Sequence, residues 1–329
     1  MTLSDFDQKR LAGVLTEAEF PELPGFQRGK VRESYDLGDG RRLMIATDRQ
    51  SAFDHVLAAV PDKGHVLTAT AAFWFEHTAD ICPNHVIDYP DPNVIIAKEL
   101  NMLPVEMVVR DYITGTTDTS IWTMYAKGAR TVYGQTLPDG LVKNDKLPGT
   151  IITPTTKGAV GGHDHPITAE DIVSQGLLTQ AQWDEAAQKS LALFARGREI
   201  AAANGLILAD TKYEFGLDEN GIVTIADEIH TPDSSRYWRT ETYADRHAAG
   251  EEPGPMRSVP RSATGNPGRD LDRIFKQICV AVRSDHRHGV STRRSVGAGQ
   301  RPYPGGTHPG TTGIFLICAR ALRQSKIGR

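Results

Sequence analysis

Residues 206–228, LILADTKYEFGLDENGIVTIADE, limit the possible folds more than any other stretch. Two runs of β-compatible residues flank Asn220-Gly221, a dipeptide strongly favoured in tight hairpin turns. If Asn220 and Gly221 form a two-residue type I′ loop, Glu219 faces Ile222 and, counting outward, Glu214 faces Asp227. The strand period then puts Asp210, Lys212 and Glu214 on one face together with Asp227. Like charges opposed on a sheet are destabilising by about 0.2–1 kcal/mol, so this pair calls for a cation. Mg²⁺ suits it, because that ion takes hard oxygen ligands and commonly sits on one or two carboxylates. Lys212 would add a fixed positive charge toward a phosphate or a developing acyl phosphate. A solvated hairpin with ordinary cross-strand ion pairs answers the same pattern.

A second hairpin is written into residues 29–47, GKVRESYDLGDGRRLMIAT, with its turn at Gly38-Asp39-Gly40. Lys30 and Arg32 stand on alternate positions after Gly29 and so share a face, which suits a triphosphate; a merely exposed hairpin fits as well. No Walker loop or Gly-x-Gly-x-x-Gly occurs, so a nucleotide would have to be held by such a hairpin instead of a helix start. The Pro61-Asp62-Lys63-Gly64 turn leads into a predicted helix at 66–79, and β-branched strands are expected at 94–97 and 105–110. Residues 118–162, rich in Gly, Pro and Thr, read as irregular with short strands. Thr179 and Gln182 have capping-box spacing, and the Ala-rich run after them ends at Asn204-Gly205, which predicts a helix over 180–204.

Several polar groups have the makings of a binding site. Arg110 closes an apolar strand ahead of Thr114-Gly115-Thr116, where a cation marks either a ligand site or a salt bridge. Asp233, Ser234, Ser235 and Arg236 follow a Pro turn and could serve a sugar phosphate, or simply cap that turn. His163-Asp164-His165 invites a metal reading, but neighbours on an extended chain point to opposite faces and no third ligand stands at metal-site spacing. A substrate loop is the better expectation, with Lys157 and Asp164 holding the two ends of an amino acid.

Taken together, the segments GKVRESY (29–35), ATDRQSAFD (46–54), PDKG (61–64), LPVEMVVRDYITGT (103–116), ITPTTKGAVGGHD (152–164), DTKYEFG (210–216) and DEIHTPDSSRYW (227–238) resemble the SAICAR synthetase family. The resemblance runs from Gly29 to about Asp245, and its motifs are specific as a set. It implies an ATP-dependent ligase of purine biosynthesis that activates the carboxylate of carboxyaminoimidazole ribotide as an acyl phosphate and joins it to L-aspartate. By similarity Lys30, Arg32 and Lys98 contact ATP, and Glu214 and Asp227 hold Mg²⁺ and the nucleotide. Arg110, Thr116, Asp210, Lys212, Ser235 and Arg236 serve the ribotide, with Arg110, Asp210 and Lys212 nearest the chemistry. Asp48, Ser51, Lys157 and Asp164 line the substrate side. The implied fold is α+β: an antiparallel β domain like a kinase small lobe over 1–115, a larger α/β domain over 116–249, and ATP in a cleft between them.

After Asp245 the family pattern stops. A basic segment of the form Asp-Lys-x-Phe-Leu/Val-Arg-x-Trp and a closing amphipathic helix are expected there, and neither is found. The chain of 329 residues carries a formal charge of −4, yet from Gly250 onward it holds about nine more basic than acidic side chains. Residues 250–329 therefore read as an atypical Gly-, Pro- and Arg-rich tail too poor in apolar residues to order itself, either a lineage-specific replacement or the product of a shifted reading frame. The alternative function is a catalytically impaired nucleotide-binding relative whose basic tail contacts an acidic partner or RNA. A related ATP-dependent kinase or ligase with another acceptor is a further rival. The overall acidity argues against general nucleic-acid binding. The hydrophobic share of 39% suffices for a core, and neither a membrane span nor a signal core is evident, which points to the cytoplasm. Cys82, Cys279 and Cys318 suggest neither disulfides nor zinc.

Overall fold

A computed structural model describes residue 11 and residues 13–52, 55–157 and 165–254 of the chain. These fall into two compact units. The first runs through Ala69 and takes in Val86–Glu99; the second takes in Thr70–His85 and continues from Leu100. The expected tail lies outside the described residues from 255 onward, as do Asp164, His163, Cys279 and Cys318.

In the first unit, β1 (Phe26–Arg28), β2 (Arg32–Asp36) and β3 (Arg41–Ala46) form a meander. Next come the hairpin β4 (Arg49–Ala52) and β5 (His55–Ala59), then α1 (Lys63–His77), which begins in this unit and ends in the second. The strands β6 (Val86–Asp91) and β7 (Val94–Lys98) complete an antiparallel sheet of order β1-β2-β3-β7-β6. Alternation explains its core: Tyr35, Leu43, Ile45, Val94 and Ile96 point to one face and pack on Ala18, Phe20 and Leu23. The Tyr35 hydroxyl donates to the Ala18 carbonyl at 2.6 Å and accepts from the Phe20 amide at 2.7 Å. That pair fastens the segment before β1 across the sheet. The Gly38-Asp39-Gly40 turn lies where the sequence predicts it, with both glycines at positive φ.

The second unit is built around two twelve-residue strands, β8 (Asn101–Tyr112) and, later in the chain, β14 (Leu206–Leu217), paired antiparallel. Between them come α2 (Ile121–Ala126), β9 (Thr131–Val132), β10 (Gln135–Thr136), β11 (Lys146–Ile152), β12 (Thr155–Thr156), β13 (His165–Pro166), α3 (Ala169–Ser174) and α4 (Gln180–Ala203). Then β15 (Val223–Ala226), β16 (Ser235–Arg239) and α5 (Thr240–Ala248) follow β14. β8 pairs with β11 over one half and β12 over the other, while β14 pairs with β16 and then β15. Every pairing between these named strands is antiparallel. Beneath it, α4 presents Ala186, Leu193, Phe194 and Ala201 to a core that includes Met107, Val109, Tyr213, Phe215 and Ile225. Both arms of the predicted capping box are formed: Gln182 N–H donates to the Thr179 hydroxyl, and Thr179 N–H to the Gln182 side chain.

Within residues 118–162 the short strands are present, but a helix predicted by nothing in the composition is there too. Ser120 caps α2, and Ile121 and Tyr125 enter a small separate core with Val132, Tyr133, Leu137 and Leu147. Helix α5 is likewise unanticipated; its Tyr243 stacks on Trp238 and donates to the Asn144 carbonyl at 2.8 Å. The described Cys82 is a buried free thiol, pushed up to about 11 by its desolvation. No described helix is long and apolar enough to cross a membrane.

Candidate active site

Two charged clusters stand on β14, and its even-numbered residues carry them. Asp210 sits opposite Arg110 of β8 on one side and Arg236 of β16 on the other. Both guanidiniums reach the same oxygen, Oδ2 of Asp210, at 2.6 and 2.8 Å. Arg110 also donates to the Thr153 hydroxyl at 2.9 Å. Asp210 is almost wholly buried, whereas Arg236 is partly exposed, so the cluster keeps one positive charge in excess at an accessible edge. On the next rung, whose side chains alternate to the other face, the Ser235 hydroxyl and the buried Thr211 hydroxyl are hydrogen-bonded at 2.7 Å. Excess cationic charge at an accessible edge is suited to an anionic ligand.

Two residues further on, the Lys212 ammonium reaches Glu106 at 2.5 Å and Glu214 at 2.9 Å. The other oxygen of Glu214 accepts from Lys157, and the other oxygen of Glu106 accepts from the Thr155 hydroxyl at 3.0 Å. Burial alone would lower the Lys212 pKa, but the Glu214 and Glu106 carboxylates outweigh it and hold it well above the ordinary lysine value. Burial likewise works to raise Glu214, and the charges of Lys212 and Lys157 overcome it, bringing its carboxyl down to about 2. At neutral pH Lys212 and Glu214 are both ionised. Lys212 is therefore a fixed cation and not a proton acceptor.

The hairpin register differs from the two-residue expectation. Glu214 faces Ala226, not Asp227. The loop has three residues, Glu219, Asn220 and Gly221: the Gly221 amide closes a turn onto the Asp218 carbonyl, Gly221 takes φ +77°, and Asp218 N–H bonds to Ile222. Such a turn followed by a left-handed Gly is the common three-residue hairpin loop, and it shifts every pairing by one. Asp227 consequently falls just past the strand, at φ +61°. A carboxylate pair does face itself across a rung here, but its members are Glu214 and Glu106. Sequence reasoning missed Glu106. The available signal was a lone acid inside the apolar run Leu103–Val109, where a buried charge implies a partner.

Lys30 and Arg32 do not alternate along a strand. Arg28 pairs with Glu33 and Gly29 N–H bonds to the Arg32 carbonyl, so Lys30 and Val31 form the turn between β1 and β2. Lys30 is exposed at that turn, while Arg32 opens β2 opposite Ala46. Lys98 stands opposite Arg41, at the far end of the same sheet from the Arg32–Ala46 rung, and strand alternation puts it on the other face. The structure therefore does not bring the Lys98 side chain together with Arg32. Asp48 is buried, its two oxygens accepting the Leu15 and Gly64 amides at 2.9 Å each, which ties it to the start of α1. Ser51 lies on β4 opposite Val56, and Thr116 is exposed in the loop after β8.

Metal binding can be tested by donor chemistry. Among the described residues no group of three or more His, Cys, Asp or Glu is disposed to hold a metal ion. Mg²⁺ needs only one or two carboxylates when phosphates and water complete its shell, so the donor chemistry of Glu214 and Asp227 suits it, although Asp227 lies past the strand end and not opposite Glu214. In the structure both Glu214 oxygens are engaged by ammonium groups.

Residues 25–253 match the family model for SAICAR synthetase. The chain is 61% identical over 272 residues to a Mesorhizobium japonicum protein named for a phosphoribosylaminoimidazole-succinocarboxamide synthase, a match covering 83% of this chain and 82% of that one. It is 54% identical over 239 residues to the synthase of that name from Legionella pneumophila (strain Lens), covering 73% and 75%. Among solved structures, a SAICAR synthase from Saccharomyces cerevisiae complexed with SAICAR superposes with a TM-score of 0.65 at 28% identity, covering 82% of this chain and 97% of the other.

Proposed function

The chain belongs to the SAICAR synthetase family, and from that premise we propose that it joins L-aspartate to the carboxylate of carboxyaminoimidazole ribotide at the expense of ATP. The observation that carries this reading is the row Asp210, Lys212, Glu214 along one face of β14, with two guanidiniums at one end and two ammonium groups at the other. Its ends lie about 13 Å apart at the ordinary rise of a strand, a span that suits a phosphoribosyl group and a reacting carboxylate. The yeast relative was solved with the product SAICAR, which supports the same ligand class here.

In this reading Arg110 and Arg236, sharing Asp210, hold the ribotide phosphate, and Ser235 and the exposed Thr116 supply hydroxyls. Lys212 is the cation toward which charge develops. The ribotide carboxylate oxygen attacks the γ-phosphorus of ATP, the bond to the β-phosphate oxygen breaks, and ADP leaves. The aspartate amine then attacks the acyl carbon, inorganic phosphate leaves, and the nitrogen gives up a proton. No protein nucleophile is needed. The residues position the reactants and oppose phosphoryl charge, which is where most of the catalysis in such transfers resides. Lys30, Arg32 and Lys98 serve the nucleotide, the Lys98 side chain doing so from the opposite sheet face to Arg32. Asp48, Ser51, Lys157 and Asp164 serve the substrate side. Mg²⁺, bound through Glu214 and Asp227, would supply neutralisation of the nucleotide phosphates. The working compartment is the cytoplasm.

The test is ADP release by the full chain with MgATP, carboxyaminoimidazole ribotide and L-aspartate, each omitted in turn. Release that needs all three, with formation of the succinocarboxamide, is the expected result. Nucleotide binding without turnover would favour a catalytically impaired relative, and release without aspartate a kinase.

A further inference from the structure

Arg49, at the start of β4, is enclosed within the first unit, and its guanidinium spends its donors on the turn between β1 and β2. Nε donates to the Lys30 carbonyl at 3.0 Å and Nη2 to the Gly29 carbonyl at 2.9 Å. Nη1 donates to the Thr16 carbonyl at 2.5 Å and to Glu33 at 2.8 Å. Glu33 is fully buried; it also accepts from Arg28 at 3.1 Å and from the Ala18 amide. Next to Arg49, the Thr47 amide and hydroxyl both reach the Val31 carbonyl, at 2.9 and 2.7 Å. Three consecutive carbonyls of the turn, those of Gly29, Lys30 and Val31, are thus drawn onto residues 47–49.

That arrangement has an electrostatic consequence. A turn of four residues has few internal bonds to hold it, and its carbonyl oxygens would repel a polyanion brought against it. Committing those oxygens to Arg49 and Thr47 points the negative ends of three peptide dipoles inward and fixes the backbone from which Lys30 and Arg32 project. Arginine is suited to this because its planar fork makes several directed bonds at once, whereas lysine offers a single point charge.

We infer that Arg49 is a positioning residue for the nucleotide: by gripping the Gly29 and Lys30 carbonyls it holds the basic turn in the conformation that receives the phosphates. The inference rests on the nucleotide role given above to Lys30 and Arg32. Arg49→Lys keeps a positive charge for Glu33 but gives up the fork. It is expected to raise KM for ATP about tenfold while kcat and KM for L-aspartate stay within about twofold, the signature of lost uniform binding. The double variant Arg49→Met with Glu33→Gln removes both members of the buried pair together and so avoids an unpaired charge; it should show the same rise. Titration calorimetry with ATP should weaken in parallel. An ATP KM and ATP affinity unchanged in both variants, with only a lower Tm, would overturn the inference and make Arg49 purely structural. If the unaltered protein binds no ATP, the nucleotide reading of the turn falls and this inference with it; if it binds and Arg49→Lys binds equally well, the inference alone falls.

Discussion

Glu106 and Glu214 face one another across the β8–β14 ladder, and the Lys212 ammonium bridges them. Two carboxylates in this position would repel, and the lysine between them converts the repulsion into a clamp on its own position. Lys157 and Thr155 complete the clamp from the β12 side.

Replacing Glu106 by Gln removes one jaw while keeping its shape. Lys212 then swings toward Glu214 and loses its fixed place. Hydrogen bonds to charged groups contribute about 1.5–3 kcal/mol, so kcat/KM for the ribotide should fall about 10- to 100-fold. Steady-state kinetics on Glu106→Gln, beside circular dichroism to verify the fold, checks this.

The Lys157–Glu214 pair carries a pH dependence. The folded Glu214 carboxyl, at about 2, lies below the roughly 4.3 of an unfolded glutamate. Its contribution is therefore fully present above the unfolded value and is lost as pH falls through the folded one. Lys157→Met should destabilise the protein by about 1 kcal/mol at pH 7 and by much less at pH 2. Urea unfolding at the two pH values measures the difference.

Asp210 neutralises one of the two guanidiniums it holds. In Asp210→Asn neither partner is fully compensated, and Arg110 and Arg236 repel each other out of register. The KM for the ribotide should rise about tenfold or more, with the KM for ATP little changed. Kinetics with each substrate varied separately distinguishes the two.

Gly197 lies inside α4, where Ala would ordinarily stabilise a helix by about 1 kcal/mol. Here a Cβ would come within 2.3 Å of the His230 ring. That ring is locked: Nε2 shares a hydrogen bond with the Tyr213 hydroxyl at 2.5 Å, Trp74 packs edge-on, and burial drives the imidazole pKa down to about 3. Gly197→Ala should therefore destabilise, by about 1–3 kcal/mol, reversing the usual sign. Thermal unfolding reads it directly.

Gly221 offers the contrasting case. It has open space around its Cα, so only the left-handed backbone matters. Gly221→Ala should cost about 1 kcal/mol and Gly221→Asn less, in chemical denaturation.

Local chemistry was legible wherever its partner was near in sequence. The Thr179–Gln182 capping box, the Gly38-Asp39-Gly40 turn and the position of the Asn220-Gly221 loop are all interactions over a few residues. Loop length was not legible, because Asn-Gly is compatible with both two- and three-residue turns, and that single residue decided whether Glu214 faced Asp227 or Ala226. Glu106 and Arg110, which pair with Lys212 and Asp210, come from β8, about a hundred residues earlier, and no periodicity encodes which strands become neighbours. Helix α2 escaped for another reason: it is two turns long, below the length at which a hydrophobic period can be read.

β14 serves two masters by alternation. Asp210, Lys212 and Glu214 carry the charged clusters, while Ala209, Tyr213 and Phe215 are fully buried in the core. A slip of one residue against β8 would exchange the two rows, sinking an acid, a lysine and another acid into the hydrocarbon interior and stranding two aromatic rings at the ligand. A misassembled site would thus also be a misfolded protein, so the strand is guarded against wrong alignment by the same residues that make right alignment useful.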